Sequence, residues 1–338
     1  MKRNQKISVT FLKKIATAAG IFFGVLALIF FYEVYIPVNS GSNQTIVYTV
    51  EKGWGANQIA SDLQKMGLIK SSTFFQIYSA LSLQHSRLQA GDYELSPRMS
   101  TYQIVKRIAR GDSIKNRVVV LEGWDVADID KYLQSKKICK KGEFLTLIKN
   151  DYSKEFDFLA DKPKGVDLEG YLFPDTYEVA ENATCEDVLS VMLTNFNSKL
   201  TPELRTEVAK QKKRIFDIVT MASLIEKEVR TLADKKIVSG ILWKRISVGM
   251  PLQLDATINY ITGKSDPAVA IKDTYISSPY NTYRNKGLPK GPISEPGLDS
   301  IIAAIYPTET KYWYYLTDGK TIFSETFKQH ETARANMN

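Results

Sequence analysis

The sequence predicts an α+β protein in which a single N-terminal transmembrane helix precedes a small strand-and-helix subdomain and a larger α+β domain. Three observations lead there. Ile15–Tyr32 is an uncharged apolar run of 18 residues, close to the roughly 20 that span a hydrocarbon core. Two β-rich runs, "TIVYTV" and "NRVVVL", each pass through a Gly-Trp pair into apolar residues at helical spacing. Beyond about residue 150, strand-like and helical stretches alternate and then give way to a long Pro- and Gly-rich segment. The resulting divisions are a cytoplasmic tail (1–14), a transmembrane helix (15–34), a stalk (35–44), a subdomain (45–115) and a main domain (116–338).

At 338 residues, 44 % hydrophobic and 24 % charged, the composition is that of an ordinary globular protein. The net charge of +8 is concentrated at one end, because Lys2, Arg3, Lys6, Lys13 and Lys14 all precede the first acidic residue, Glu33. Removing those five leaves 40 basic against 37 acidic residues, a net of +3, which is little with which to bind a phosphate backbone. Nucleic acid is therefore not expected as a partner. The same lysines place the tail in the cytoplasm and all that follows the helix outside the cell (inner) membrane. The apolar run is long for a signal peptide and no A-x-A-like site follows it, so it reads as an uncleaved anchor.

Outside the cytoplasm a disulfide is permitted, but nothing in the sequence brings Cys139 and Cys185 together. A bridge and two separate thiols both stay open. The two histidines, His85 and His330, are too few for a His-rich zinc site. No metal or cofactor is expected.

The two strand-to-helix units form a weak repeat. When "EKGWGANQIASDLQK" is set against "LEGWDVADIDKYLQSK", Gly53 matches Gly123, Trp54 matches Trp124, Ile59 matches Ile129 and Leu63 matches Leu133. A fainter third copy runs from "AGDYEL" into "SPRMSTYQIVKRIARG". Each reads as strand, turn and amphipathic helix, and units of this size resemble LysM-type modules, which bind glycan.

In the main domain, "GVDLEGYLFPDTYEV" reads as loop or strand, and helical periodicity resumes over Cys185–Leu200 and again from Ile215. Four prolines and three glycines within the 24 residues "SSPYNTYRNKGLPKGPISEPGLDS" exclude regular helix or central strand. So long a turn-rich segment points to a functional loop. The closing "KYWYYLTDGKTIFSETF" reads as a hairpin with its turn at Asp318-Gly319.

On a wheel of the Ile215 helix, Ile215, Ile218, Val219, Ala222, Ile225 and Val229 share a sector that includes Glu226. Glu228 falls on its flank and Lys227 on the polar side, so Glu228 is expected at the helix surface or in an adjoining ion pair. A buried glutamic acid keeps its proton toward neutrality and can act as a general acid. The competing reading is a structural glutamate paired with Lys, Arg or a backbone group. Polar groups in aromatic, turn-rich surroundings accompany Glu226 in the sequence: Glu169, Tyr171, Asp175 and Tyr177; Gln253 and Asp255; Asn281 and Tyr283. Rings beside amides and carboxylates suit a sugar site, so these eight are the candidate substrate-binding residues of a glycan cleft.

Four ordered segments, "LEGYLFPDTYEV", "MASLIEKEV", "GMPLQLDATINY" and "SPYNTYRNKGLPKGPISEPG", behind one N-terminal anchor, resemble the YceG-like family of endolytic murein transglycosylases. The resemblance covers about residues 45 to 335. It implies a LysM-like subdomain followed by an α+β transglycosylase catalytic domain, and it makes Glu226, the first Glu of "EKE", the catalytic residue. The implied reaction cuts the MurNAc–GlcNAc bond of peptidoglycan without water, leaving an anhydro-MurNAc end that terminates the nascent strand. In that account one carboxyl protonates the glycosidic oxygen and then takes the proton of the muramic C6 hydroxyl. Peptidoglycan strands are the implied partner, with peptidoglycan synthases (penicillin-binding proteins) as candidate protein partners.

Two positions depart from the family pattern: Ala256 stands where proline is common and Glu295 where asparagine is common. They leave open whether Gln253, Asp255 and the late loop touch substrate or shape the cleft. The competing functions are a muramidase-type hydrolase, for which Asp175, Asp255 or Glu169 could supply a second carboxyl, and a non-catalytic glycan-binding scaffold.

Overall fold

The computed structural model describes residues 9–42, 44–264 and 269–336. The first eight residues of the expected cytoplasmic tail and Asn43 of the expected stalk lie outside the described residues. The chain is a mixed α+β structure, mostly helical with small sheets. It divides into two compact units, Met1–Asn116 with Ala180–Asn182, and Arg117–Val179 with Ala183–Asn338.

The first unit begins with α1 (Val9–Tyr35), within which Ala16–Tyr35 has a mean hydropathy of 2.0 and could cross a membrane. By length and composition an anchor and a signal sequence both fit it. Next come β1 (Ile46–Val50), α2 (Ala56–Lys65), α3 (Ser72–Leu81), β2 (Gly91–Leu95) and α4 (Thr101–Arg110). The two strands pair antiparallel with Tyr48 opposite Tyr93, and both rings sit in a core with Ile59, Leu63, Phe75 and Ile104. Ser71 caps α3, and a Ser100–Gln103 capping box starts α4, each supplying an acceptor for otherwise orphaned N–H groups. The end of α1 is bound into the same unit. Lys70 Nζ donates to the Tyr32 and Ile36 carbonyls at 3.0 and 2.6 Å, and Thr101 Oγ1 donates to the Glu33 carbonyl at 3.1 Å.

The second unit takes in most of β3 (Lys115–Val119), then α5 (Val126–Ser135), α6 (Glu143–Leu147), β4 (Thr176–Ala180) and α7 (Cys185–Lys199). β3 and β4 form a two-stranded sheet. Cys139, just past α5, and Cys185, which opens α7, form a disulfide with Cα atoms 4.9 Å apart. The sequence leaves that pairing open. The chain continues through α8 (Pro202–Lys210), α9 (Ile215–Glu228), α10 (Leu232–Ser247), α11 (Asp255–Thr262) and α12 (Leu298–Ile305). It closes with the expected hairpin, β5 (Tyr314–Asp318) and β6 (Lys320–Ser324), and then α13 (Phe327–Ala335).

The repeat has a backbone cause. Gly53 and Gly123 both adopt left-handed conformations, φ +89° and +78°, which side-chain-bearing residues avoid. Each sharp turn delivers a tryptophan onto an apolar core, Trp54 in the first unit and Trp124 in the second. The amphipathic reading of α9 understates its burial. Phe216 and every residue from Ile218 to Ile225 are buried, because α8, α10, α11, α12 and the turn Asp157–Leu159 all pack around it. From Ile218 to Ile225 the helix has no polar face, and the two glutamates that follow, half-buried on either side of the exposed Lys227, take partners from other elements.

Candidate active site

Helix α9 is fixed at both ends. At its start, Asp161 accepts from the Ile215 and Phe216 N–H groups at 2.6 and 3.1 Å, serving as a cap contributed from elsewhere in the chain. Further along, Ser223 Oγ accepts from Ile293 N–H at 3.1 Å and the Ser223 carbonyl accepts from Ser294 Oγ at 3.0 Å. These bonds hold the "PISEPG" segment against α9 and bring the start of α12 to Glu226.

The Glu226 carboxyl receives donors only. Ser300 Oγ donates to Oε2 at 2.7 Å and Gly297 N–H at 3.0 Å, while Lys235 Nζ lies 3.1 and 3.3 Å from its two oxygens. The Lys235 side chain is 3 % exposed and that of Glu226 8 %. A lysine partner is the mark of the structural reading as well. What distinguishes this pair is the added convergence of a hydroxyl and the N–H at the start of α12, a combination that fits a carboxylate.

Glu122 lies beside it, on the turn that Gly123 makes possible. Gly123 N–H donates to the Glu295 carbonyl at 2.9 Å and Glu295 N–H to the Trp124 carbonyl at 2.6 Å, which locks this turn to the segment before α12. A Cβ on Gly297 would sit 2.0 Å from Glu122 Oε1, so the carboxyl rests directly on that glycine. Partial burial, then the charges of Glu226 and Asp299, push Glu122 above the ordinary carboxylate range, with Lys235 opposing.

Glu228 does not serve an exposed helix surface. Its carboxyl accepts from Tyr315 Oη at 3.0 Å. Burial raises it to about 7 despite that bond, with the nearby Asp255 adding to the rise and Arg245 opposing it. Asp255 in turn accepts from Tyr283 Oη. The buried Arg245 donates to the Trp313 and Leu252 carbonyls and so fixes the approach to Gln253. Gln253 is exposed with φ +55°, a strained conformation for a residue other than glycine.

The remaining sequence candidates lie apart from Glu226 in hydrogen bonding. Glu169 and Glu295 form a buried carboxyl pair. Glu295 accepts from Gly170 and Leu172 N–H at 3.0 and 2.7 Å, and Glu169 from Val126 N–H at 3.2 Å and Tyr260 Oη at 3.3 Å. Burial pushes both up, and the charge of Glu295 raises Glu169 further, so the pair retains a proton. Tyr171 is buried among Phe158 and Phe196. Asp175 and Tyr177 share Asn195. Asn281 is buried and staples its own loop, donating to the Thr274 and Ile276 carbonyls at 2.9 and 2.7 Å.

Lys235, Gly297, Ser300 and Glu122 are absent from the sequence-level site. A signal existed for the last: the position before the repeat's glycine is Lys52 in the first copy and Glu122 in the second. Among the described residues no cluster of His, Cys, Asp or Glu could hold a metal ion.

The profile of the YceG-like family matches residues 48–336. An endolytic murein transglycosylase of Bacillus subtilis (strain 168) is 34 % identical over 312 residues, covering 88 % of this chain and 86 % of that protein. An endolytic murein transglycosylase of Streptococcus pneumoniae serotype 2 is 28 % identical across 93 % of this chain, which spans 62 % of the pneumococcal protein. The crystal structure of a yceG-like protein from Listeria monocytogenes superposes with a TM-score of 0.59 at 30 % identity, covering 86 % of this chain and all of that one.

Proposed function

The chain belongs to the YceG-like family, and from that premise we propose that it is an endolytic murein lytic transglycosylase, anchored by α1 with its two units outside the cytoplasm. The observation that carries the assignment is the Glu226 carboxyl, held at the end of a buried helix by Lys235, Ser300 and Gly297. In the carboxylate form it takes the proton of the muramic C6 hydroxyl as that oxygen closes on the anomeric carbon. The bond to GlcNAc breaks, and the strand ends in an anhydro sugar. The departing glycosidic oxygen takes up a proton as the bond breaks.

Asp255, Tyr283 and the strained Gln253 are the groups we assign to substrate contact. Glu169, Tyr171, Asp175, Tyr177 and Asn281, bonded or packed within the protein, shape the surrounding walls. The β1–α2–α3–β2 order of the first unit supports a LysM-like, glycan-holding role for it. Nascent strands near the membrane are the substrate, and the synthases that extend them are the natural protein partners.

The test is mass spectrometry of products from purified glycan, with Glu226→Gln beside wild type. Anhydro-muramyl ends from wild type alone are expected. Reducing ends would turn the assignment to a hydrolase, and parental cleavage by Glu226→Gln would remove Glu226 from the chemistry.

A further inference from the structure

A lytic cut needs two proton positions, one proton for the glycosidic oxygen and one acceptor for the C6 hydroxyl. The surroundings of Glu226 suit the second. Its oxygens receive an ammonium, a hydroxyl and a backbone N–H, each of which binds the ionised form better than the acid. Glu122 has the opposite setting. Among the described residues its carboxyl receives no hydrogen bond. It sits against the Cα of Gly297, whose N–H is already committed to Glu226. Glu122 is exposed, and partial desolvation with the neighbouring Glu226 and Asp299 charges raises its carboxyl, so of the two it is the one placed to take a proton from solvent and hand it on.

The charged groups facing Glu122 act in both directions. From α9 the Glu226 carboxylate and from α12 Asp299 favour its proton, and from α10 Lys235 opposes them. Lys227 is engaged with the Gly123 carbonyl at 3.1 Å.

We propose that Glu122 is the proton donor of the site and Glu226 its base, a division of labour that rests on reading the cleft as that of a lytic transglycosylase. The proton on Glu122 passes to the glycosidic oxygen as the muramic C1–O bond breaks and GlcNAc leaves as the alcohol. The C6 oxygen bonds to C1 and its proton passes to Glu226. One proton has moved from Glu122 to Glu226, and exchange through solvent between the neighbouring carboxyls restores the starting state. Glu122 is thus a catalytic residue in its own right. Gly297 is what lets the two carboxyls approach.

The experiment compares the full chain in detergent with its Glu122→Gln and Glu226→Gln variants on two substrates, across pH. One substrate is uncrosslinked glycan. The other is a GlcNAc-MurNAc disaccharide carrying a 4-methylumbelliferyl aglycone on MurNAc, which departs with little help from a proton. Glu122→Gln should lower glycan cleavage by about 100-fold or more, change aryl glycoside turnover by less than about 3-fold, and abolish the alkaline limb of the pH profile. Glu226→Gln should lose both substrates.

Unchanged glycan cleavage in Glu122→Gln would overturn the proposal, as would equal loss on both substrates, the mark of a merely structural role. If wild type yields reducing ends alone, the lyase reading fails, and with it the base role given to Glu226.

Discussion

The Glu228→Gln substitution isolates a pH-dependent term in the stability of the second unit. Burial raises the Glu228 carboxyl from the ordinary 4.5 to about 7. Its folded value therefore lies above its unfolded one. Its contribution to stability is complete below about pH 4.5 and is lost as the pH rises toward 7. At about 1.36 kcal/mol per tenfold change in proton binding, full burial would make that loss about 3 kcal/mol. The residue is partly exposed, and screening by water brings the figure down to about 1.5 kcal/mol.

Glutamine cannot ionise, and its carbonyl can still accept from Tyr315. The variant should match wild type near pH 4.5 and exceed it by about 1.5 kcal/mol at pH 8. For a unit of this size that corresponds to about 3–6 °C in Tm. Thermal unfolding of both proteins in detergent, from pH 4.5 to 8, measures the difference, and titrations common to the two cancel. A difference that is flat with pH, or a variant less stable at pH 8, would refute the enclosure of Glu228.

The other tests are independent of it. Reducing the Cys139–Cys185 bridge, whose ends are 46 residues apart, should remove about 4 kcal/mol in the chain-entropy account. That is about 10 °C in scanning calorimetry of the second unit's transition, and a shift below about 2 °C would contradict it. Gly297→Ala should displace the Glu122 carboxyl, a flexible side-chain end, and lower glycan cleavage at least about 10-fold with Tm nearly unchanged. Asn281→Ala strips three hydrogen bonds from a buried loop. It should cost about 3 kcal/mol and open residues 271–285 to limited proteolysis.

Local features were legible wherever one residue dictates its own backbone. The Gly-Trp turns, the apolar first helix and the Asp318-Gly319 hairpin all follow from short-range rules, and all appear. What could not be read is what distant segments do to one another. The Ile215 wheel selected Glu226 by the sector it shares with Ala222 and Val229, yet from Ile218 to Ile225 the helix is buried all round, so a wheel that assumes one buried face sent Glu228 to the surface. Lys235 sits in the charged run "ADKK", where a solvated face is the ordinary expectation. It reaches Glu226 only because α10 folds back along α9. The cysteines give no hint of pairing until the segment after α5 meets the start of α7. Tyr171 and Asn281 are polar residues in a turn-rich context, but bonding within the fold and packing claim them first.

The Glu295 bracket bears on when this protein can first act. Its carboxyl accepts from Gly170 and Leu172, which precede it by 125 and 123 residues, and its backbone grips the turn that carries Glu122. None of these groups can be in position until the ribosome has passed Glu295. Ser300 and Gly297, which complete the setting of Glu226, emerge later still. At about 5–20 residues per second, the wait after Gly170 is synthesised is about 6–25 s. During that interval α1 already exists, while the groups that frame Glu226 do not. A setting assembled from groups this far apart in the chain is completed late in synthesis, so chain order itself supplies a delay before Glu226 is framed.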